Sequence, residues 1–305
     1  MTTPALARGP VPTRLHDAIL LGASGGNTGD DLIRTACLRF LRAAGLDIWN
    51  SDGTLETAAV AGDLEAVGEA LERFPGLVVF SGGGNIGIYA ESERLRQAVI
   101  GHAAAARAFL VMPQSARAPE PALVDGRVTV WARDRVSERL LARAGVRTAL
   151  VPDAAFFATD LIPRAHGGEQ SLWILRTPGS CLERVDHALT PNGVQHDVTL
   201  EEDLEGVVAR IAPFRSVVSD RLHGAVVAAM MGKPTALLPV SYHKNRSFYQ
   251  TWLTEDPGVA FVRSEGDLQR FARLDVSPQT DFRRLFLTRA APALRDLLRR
   301  TTPQE

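Results

Sequence analysis

Cysteine is almost absent from this sequence: the 305 residues hold two, Cys37 and Cys181. Two thiols so far apart make neither a disulfide framework nor a zinc-ligand spacing, and they suit a reducing compartment. Net charge is missing too. Lys and Arg number 34 against 35 Asp and Glu, which leaves −1. No global field therefore recruits nucleic acid or membrane, and any anion site has to be local. No run approaches the roughly 20 apolar residues of a spanning helix. The first residues, Met1 to Thr13, carry Pro4, Pro10 and Pro12 and no apolar signal-peptide core. They read as a loose tail, and the protein as cytoplasmic. The pattern G-x-x-x-x-G-K-[ST] does not occur, so a P-loop is excluded.

What is present is an ordinary soluble composition, 45% hydrophobic and 23% charged, on a chain long enough for about two domains. Apolar strands alternate with polar loops and helices. Strands are expected at Asp17–Leu21, Leu46–Trp49, Leu77–Phe80, Ala108–Met112, Val128–Trp131 and Thr148–Val151. Helices are expected at 31–44, 63–74, 91–107 and 136–144 between them. This is the doubly wound signature of an α/β protein. After a linker at Thr159–Gln170, a second α/β unit begins at Ser171–Arg176. The expectation is two Rossmann-like domains facing a cleft, residues 14–162 and 163–305. Cys37 falls on the apolar face of the first helix and reads as core.

The chemistry concentrates at strand ends, where ligands of open α/β sheets sit. In Val217–Tyr249 an apolar strand empties into Ser219-Asp220-Arg221-Leu222-His223-Gly224, a small-residue helix follows to Gly232-Lys233-Pro234, and a second strand ends in Ser241–Arg246. The helix start and Arg221 together suit an anion such as phosphate. His223, between an Asp, an Arg and that helix start, is the candidate acid/base group. Arg133, in Arg133-Asp134-Arg135, also follows a strand, and its planar fork suits carboxylate or phosphate.

Two glycine loops face this cluster. Gly22–Asp30 holds Asn27 and Asp30 as candidate acceptor ligands. Ser81–Gly87 holds Gly83, Gly84 and Asn85 in a turn that lets a ligand approach closely. Its literal G-x-G-x-x-G lacks the acidic residue that dinucleotide binding needs after the next strand, which ends in Met112-Pro-Gln-Ser, so a nicotinamide cofactor is not expected. No metal constellation is visible either, since His223 and His243 have no paired carboxylates nearby. The residues alone give a cleft lined by Arg133, Arg221, His223, Lys244 and Arg246, suited to a small polyanionic donor and a polar acceptor.

Several motifs, in order, resemble the polysaccharide pyruvyl transferase family: G-N-T-G-D-D (Gly26–Asp31), S-G-G-G-N (Ser81–Asn85), M-P-Q-S (Met112–Ser115), A-R-D-R-V-S-E-R-L-L (Ala132–Leu141), V-P-D-A-A-F (Val151–Phe156) and S-D-R-L-H-G…G-K-P…S-Y-H-K-N-R-S-F-Y-x-T-W. The resemblance implies a glycosyltransferase-B-like fold and phosphoenolpyruvate as donor. It implies transfer of a pyruvyl group to two hydroxyls of a sugar in an exopolysaccharide or cell-wall precursor, forming a ketal and releasing phosphate. The matching donor-site residues are Arg133, Arg221, Leu222 and His223, with Lys244 assisting. His223 would be the general acid, and the two arginines would hold the anionic groups. Asp30 and Asp153 would orient acceptor hydroxyls. No cofactor beyond the donor is implied.

Two other functions share these features: a nucleotide-sugar glycosyltransferase on the same fold, and a non-catalytic phospho-ligand binder. A lipid-linked acceptor would bring the protein to the inner face of the membrane. The arginines of the last helix (281–300) read as a solvated face opposite Phe282, Leu285, Leu294, Leu297 and Leu298, with contact to anionic headgroups as the alternative.

Overall fold

The computed structural model describes residues 17–22, 28–50, 53–177, 189, 192–197 and 203–301. In chain order the first half runs β1 (Asp17–Leu21), α1 (Thr28–Ala43), β2 (Asp47–Asn50), α2 (Thr54–Ala61), α3 (Leu64–Leu71), β3 (Leu77–Phe80), β4 (Gly83–Ile86), α4 (Ala90–His102), β5 (Ala108–Ala116), β6 (Val128–Ala132), α5 (Arg135–Arg143) and β7 (Thr148–Leu150). A 3₁₀ helix, Ala154–Leu161, leads into β8 (Ser171–Ile174), β9 (Val194–His196), α6 (Leu204–Ile211), β10 (Ser216–Ser219), α7 (Leu222–Met230), β11 (Thr235–Leu237), α8 (Lys244–Trp252), β12 (Val259–Phe261), α9 (Glu265–Ala272) and α10 (Phe282–Thr301).

The strands form two parallel sheets. The first has the order β2-β1-β3-β5-β6-β7, with β4 added beside β5. The second has the order β12-β11-β10-β8-β9. Parallel sheets are covered on both faces, so their strands read as continuous apolar runs. Leu77–Phe80 and Ser216–Ser219 are buried at every position. In each sheet the direction of winding reverses once, between β1 and β3 and between β8 and β10. Such switch points open a crevice beyond the carboxyl ends of the strands.

One continuous core joins the two sheets. It includes Cys37 at 0% exposure, as its helical position implied. Aromatic rings carry much of the junction. Phe40 of α1 meets Phe286 of α10 edge-on at 5.1 Å, and Phe156 meets Phe282 at 4.8 Å. Thus α10, the last element, crosses back onto the first sheet's helix layer. Its buried stripe is Phe282, Phe286, Ala290, Leu294 and Leu297. On its polar side Arg283 pairs with Asp160 at 3.1 Å and stacks on Phe157 at 4.6 Å. Among the described residues no helix is long and apolar enough to cross a membrane.

The glycine-rich stretch after β3 is not wholly a loop. Gly83–Ile86 forms β4 against the extended end of β5, with Gly83 opposite Gln114 and Ile86 opposite Ala116. Glycine disfavours strands, and the pairing holds because β5 runs to Ala116 and the buried Gln114 side chain grips the turn. Its amide donates to the Ser81 carbonyl at 2.9 Å and its oxygen accepts from the Asn85 N–H at 3.1 Å.

Candidate active site

Both switch points empty into one cleft of about 290 Å³. From the first sheet's side come Thr28, Gly29 and Asp30 at the start of α1, Gly84 and Asn85 of β4, and Arg133 just past β6. From the second come Arg176, the Arg221–Gly224 turn and Lys244.

Arg133 and His223 line the cleft, and the buried Asp153 joins them from beneath. Arg133 Nη1 donates to Asp153 Oδ2 at 2.6 Å. His223 Nε2 lies 3.3 Å from the same Oδ2 and 3.3 Å from Arg133 Nη1. Arg133 and Asp153 are buried, while the His223 side chain is 17% exposed to the cleft. The Nε2 atom therefore faces an acceptor and a donor at the same distance: protonated, it can donate to Asp153; deprotonated, it can accept from Arg133. Burial alone would raise the Asp153 pKa. The charge and hydrogen bond of His223, then Arg133, outweigh it and hold the carboxyl well below the ordinary range. Asp153 also caps the 3₁₀ helix, accepting from the Ala155 N–H at 3.0 Å.

The glycines here are required by contact. A Cβ on Gly29 would stand 2.7 Å from His223 Nδ1, and one on Gly84 would stand 2.6 Å from Arg133 Nη2 and 3.3 Å from Lys244 Cδ. Gly84 thus marks where Arg133 and Lys244 come together. Gly83 lies beside Asp30, whose Oδ1 would be 3.8 Å from a Cβ there. Asp30 opens to the cleft, but the protein around it removes enough water to raise its pKa, against the pull of His223, Arg133 and Lys244.

A latch between the halves fixes Arg133. Its Nε donates to Ser115 Oγ at 2.9 Å, and Ser115 Oγ donates to Asp134 Oδ2 at 2.8 Å. Asp134 is the N-cap of α5, accepting from the Ser137 N–H at 2.9 Å. Its Oδ1 also takes the Ser247 hydroxyl of α8 at 2.7 Å. The Trp252 indole N–H donates to the Arg133 carbonyl at 2.7 Å, and the Arg135 N–H to Thr251 Oγ1 at 3.2 Å. His243 belongs to this latch, with Nε2 at 3.1 Å from Ser137 Oγ; burial lowers its pKa, and Asp134 partly offsets that.

On the opposite wall Arg221 is held bidentately by Asp197, Nε to Oδ1 at 3.0 Å and Nη2 to Oδ2 at 2.7 Å. Asp197 also takes the Thr177 N–H at 2.8 Å. The Arg176 N–H donates to Asp220 Oδ1 at 3.1 Å, and its Nη1 donates to the Asp220 carbonyl at 2.9 Å. Lys244 Nζ sits 5.6 Å from the Tyr242 ring centre, within cation–π range.

The fold thus brings Asp30, Gly84, Asn85, Arg133, Arg221, Leu222, His223 and Lys244 to one cleft wall or the other, with Gly83 adjoining and Asp153 beneath. Asn27, like Cys181, lies outside the described residues. Arg246 is a correction: it is exposed and does not line the cleft. It stands two positions after Lys244 on α8, roughly 200° around the helix. Asn85 is committed elsewhere as well, since its side-chain oxygen accepts from Arg96 at 2.9 Å. Four further residues shape the site: Arg176, a cation just past the end of a strand; Ser115 and Trp252, which end two of the family-like motifs; and Asp197, which carries no sequence signal.

The model of the family described as polysaccharide pyruvyl transferase matches residues 27–242. The chain belongs to this family. No curated protein matches it. Among solved structures, a functionally uncharacterised protein of Klebsiella pneumoniae is similar over 82% of this chain and 93% of its own, with 21% identity and a TM-score of 0.60. The UDP-GlcNAc 2-epimerase of Neisseria meningitidis, bound to UDP-GlcNAc, is similar over 93% of this chain and 100% of its own, with 9% identity and a TM-score of 0.56. At such identities the likeness is one of fold. The fold is the glycosyltransferase-B-like arrangement that the sequence implied.

Proposed function

We propose that this family member transfers the pyruvyl group of phosphoenolpyruvate to two hydroxyls of one sugar, in an exopolysaccharide or cell-wall glycan precursor. The observation that carries this reading is His223 Nε2, placed at 3.3 Å from both Asp153 and Arg133. A group that only binds anions needs one protonation state. A group with a partner in each can give up a proton and take one back.

His223 protonates the methylene carbon of the donor, which becomes a methyl group and leaves oxocarbenium character at C2. A sugar hydroxyl oxygen attacks C2, and its proton passes to the imidazole or to Asp30. The C2–O bond to phosphate then breaks, phosphate leaving with the electron pair, and a second hydroxyl closes the ketal. Of the two hydroxyl protons, one ends on the methyl group and one on phosphate. Arg133, Arg221 and Lys244 hold the anionic groups and stabilise the leaving charge. Asp30, Gly83, Gly84 and Asn85 face the acceptor, and Asp153 sets the His223 ring. A lipid-linked acceptor would place this reaction at the cytoplasmic face of a membrane.

The test is thermal unfolding with phosphoenolpyruvate, a nucleotide sugar and NAD. A ligand at 100 times its Kd adds about 2.7 kcal/mol. A shift with phosphoenolpyruvate that Arg221→Ala abolishes supports the donor. A shift with the nucleotide sugar alone replaces this reading with glycosyl transfer. Phosphoenolpyruvate affinity kept in His223→Ala, with phosphate release lost, separates the enzyme from a binder.

A further inference from the structure

The second sheet reverses its winding between β8 and β10. In register, Ile174 lies opposite Ser219, so the two strands end on the same rung. Arg176 and Arg221 each come two residues later, one on either side of the crevice. Both line the cleft. Each is braced by a carboxylate behind it, Asp220 for Arg176 and Asp197 for Arg221. The Thr177 N–H on Asp197 ties the two braces together.

α7 begins in the same crevice. Its first turn bond is the Ala225 N–H to the Arg221 carbonyl, so the N–H groups of Leu222, His223 and Gly224 have no acceptor within the helix. All three residues line the cleft. Two arginines at a switch point, around an open helix start, make a seat for a tetrahedral dianion. The remaining cations lie elsewhere in the cleft: Arg133 and Lys244 meet at Gly84. His223, on the first turn of α7 and bonded to Arg133 and Asp153, stands between the two groups.

We propose that Arg176, with Arg221 and the first turn of α7, forms the phosphate seat of the donor, and that Arg133 and Lys244 form a separate carboxylate seat. This rests on the donor reading above and adds a residue and a direction to it. The donor lies with its phosphate on the second sheet, its carboxylate on Arg133 and Lys244 at the border with the acceptor-facing Gly84, and its methylene carbon over His223. Arg176 is then a residue that contacts substrate. It also selects against pyruvate-like acids that lack the phosphate.

The experiment measures equilibrium binding of inorganic phosphate, oxalate and phosphoenolpyruvate to the wild type, Arg176→Gln, Arg176→Lys and Lys244→Gln. Losing a charge-assisted contact should weaken phosphate and phosphoenolpyruvate about tenfold or more in Arg176→Gln, with oxalate within about twofold of wild type on the same scale. Lys244→Gln should weaken oxalate and leave phosphate nearly unchanged. Arg176→Lys should recover part of the phosphate affinity, which marks the lost contact as ionic rather than structural. Unchanged phosphate affinity in Arg176→Gln overturns the seat, as does an equal loss of phosphate and oxalate. A wild type that binds phosphoenolpyruvate but not phosphate overturns the division while leaving the donor standing. A wild type that binds none of the three removes the donor reading itself.

Discussion

The indole of Trp252 donates to the backbone carbonyl of Arg133 at 2.7 Å, across 119 residues of sequence. This bond fixes the peptide that carries the central arginine to an element of the opposite half. Trp252→Phe keeps an aromatic ring and removes the donor, leaving a carbonyl without its partner. The expected cost is about 1–3 kcal/mol of folding stability. Turnover should fall further than phosphoenolpyruvate affinity, because the arginine loses its position rather than its charge. Denaturant unfolding beside steady-state kinetics checks both.

Gly29→Ala should separate stability from activity. Alanine is the better helix former, by about 1 kcal/mol, and Gly29 lies in the first turn of α1 with no left-handed backbone to preserve. Its Cβ would nonetheless stand 2.7 Å from His223 Nδ1, and the ring has to move. A folded protein with an ordinary melting temperature and at least about a tenfold loss of turnover is expected, since small displacements in a reacting pair cost that much or more. Wild-type turnover would show that the imidazole position is not critical.

The two central aspartates should pull stability in opposite directions with pH. Asp153 has a lowered folded pKa, so the unfolded chain binds the proton more tightly. Its contribution is complete above the ordinary carboxylate range and is lost as pH falls through the folded value. Asp30 has a raised folded pKa, so the folded protein binds the proton more tightly. Its cost therefore accrues as pH rises from the ordinary carboxylate value and is complete above the folded one. At pH 7 Asp153→Asn should destabilise by about 3–5 kcal/mol, because it leaves Arg133 charged and buried, whereas Asp30→Asn should raise the melting temperature. Melting curves between about pH 2 and 8, on the order of the range that takes in both carboxylates, give both signs. A destabilised Asp30→Asn would contradict the cost assigned to that carboxylate.

Cys37 should resist thiol reagents in the native protein. It is wholly buried, and burial pushes its thiol up to about 12, so little reactive thiolate forms near neutral pH. Labelling with a maleimide, located by peptide mass mapping, should find residue 37 only after denaturant is added. Rapid native labelling there would mean that the α1 face opens.

Much of the fold was legible because buried parallel strands announce themselves. Leu77–Phe80 is apolar throughout, and its bounds agree to the residue. The site's central trio was legible for a different reason: strand ends in open α/β sheets gather ligands, and Arg133, Asp153 and Arg221-Leu222-His223 all follow strands. What escaped depended on partners far away in sequence. Gly83–Ile86 reads as a loop and becomes a strand only because β5 extends beside it. The latch from Ser247 to Asp134 spans 113 residues, and nothing local in Ser247 distinguishes it from a surface serine. Arg246 looked equivalent to Lys244 because the Ser241–Arg246 stretch reads as a polar loop. Once α8 begins at Lys244, helical phase turns one inward and the other out.

The return of α10 to α1 has a consequence for synthesis. Phe40 lies in α1 and Phe156 and Phe157 in the 3₁₀ helix that follows the first sheet, yet each has Phe282 or Phe286 among its ring partners. A ribosome adding about 5–20 residues per second leaves that aromatic face bare for on the order of ten seconds after the first sheet has emerged. Nascent chains stopped before residue 282 should accordingly be the species that chaperones hold, and the emergence of α10 is the step that releases them.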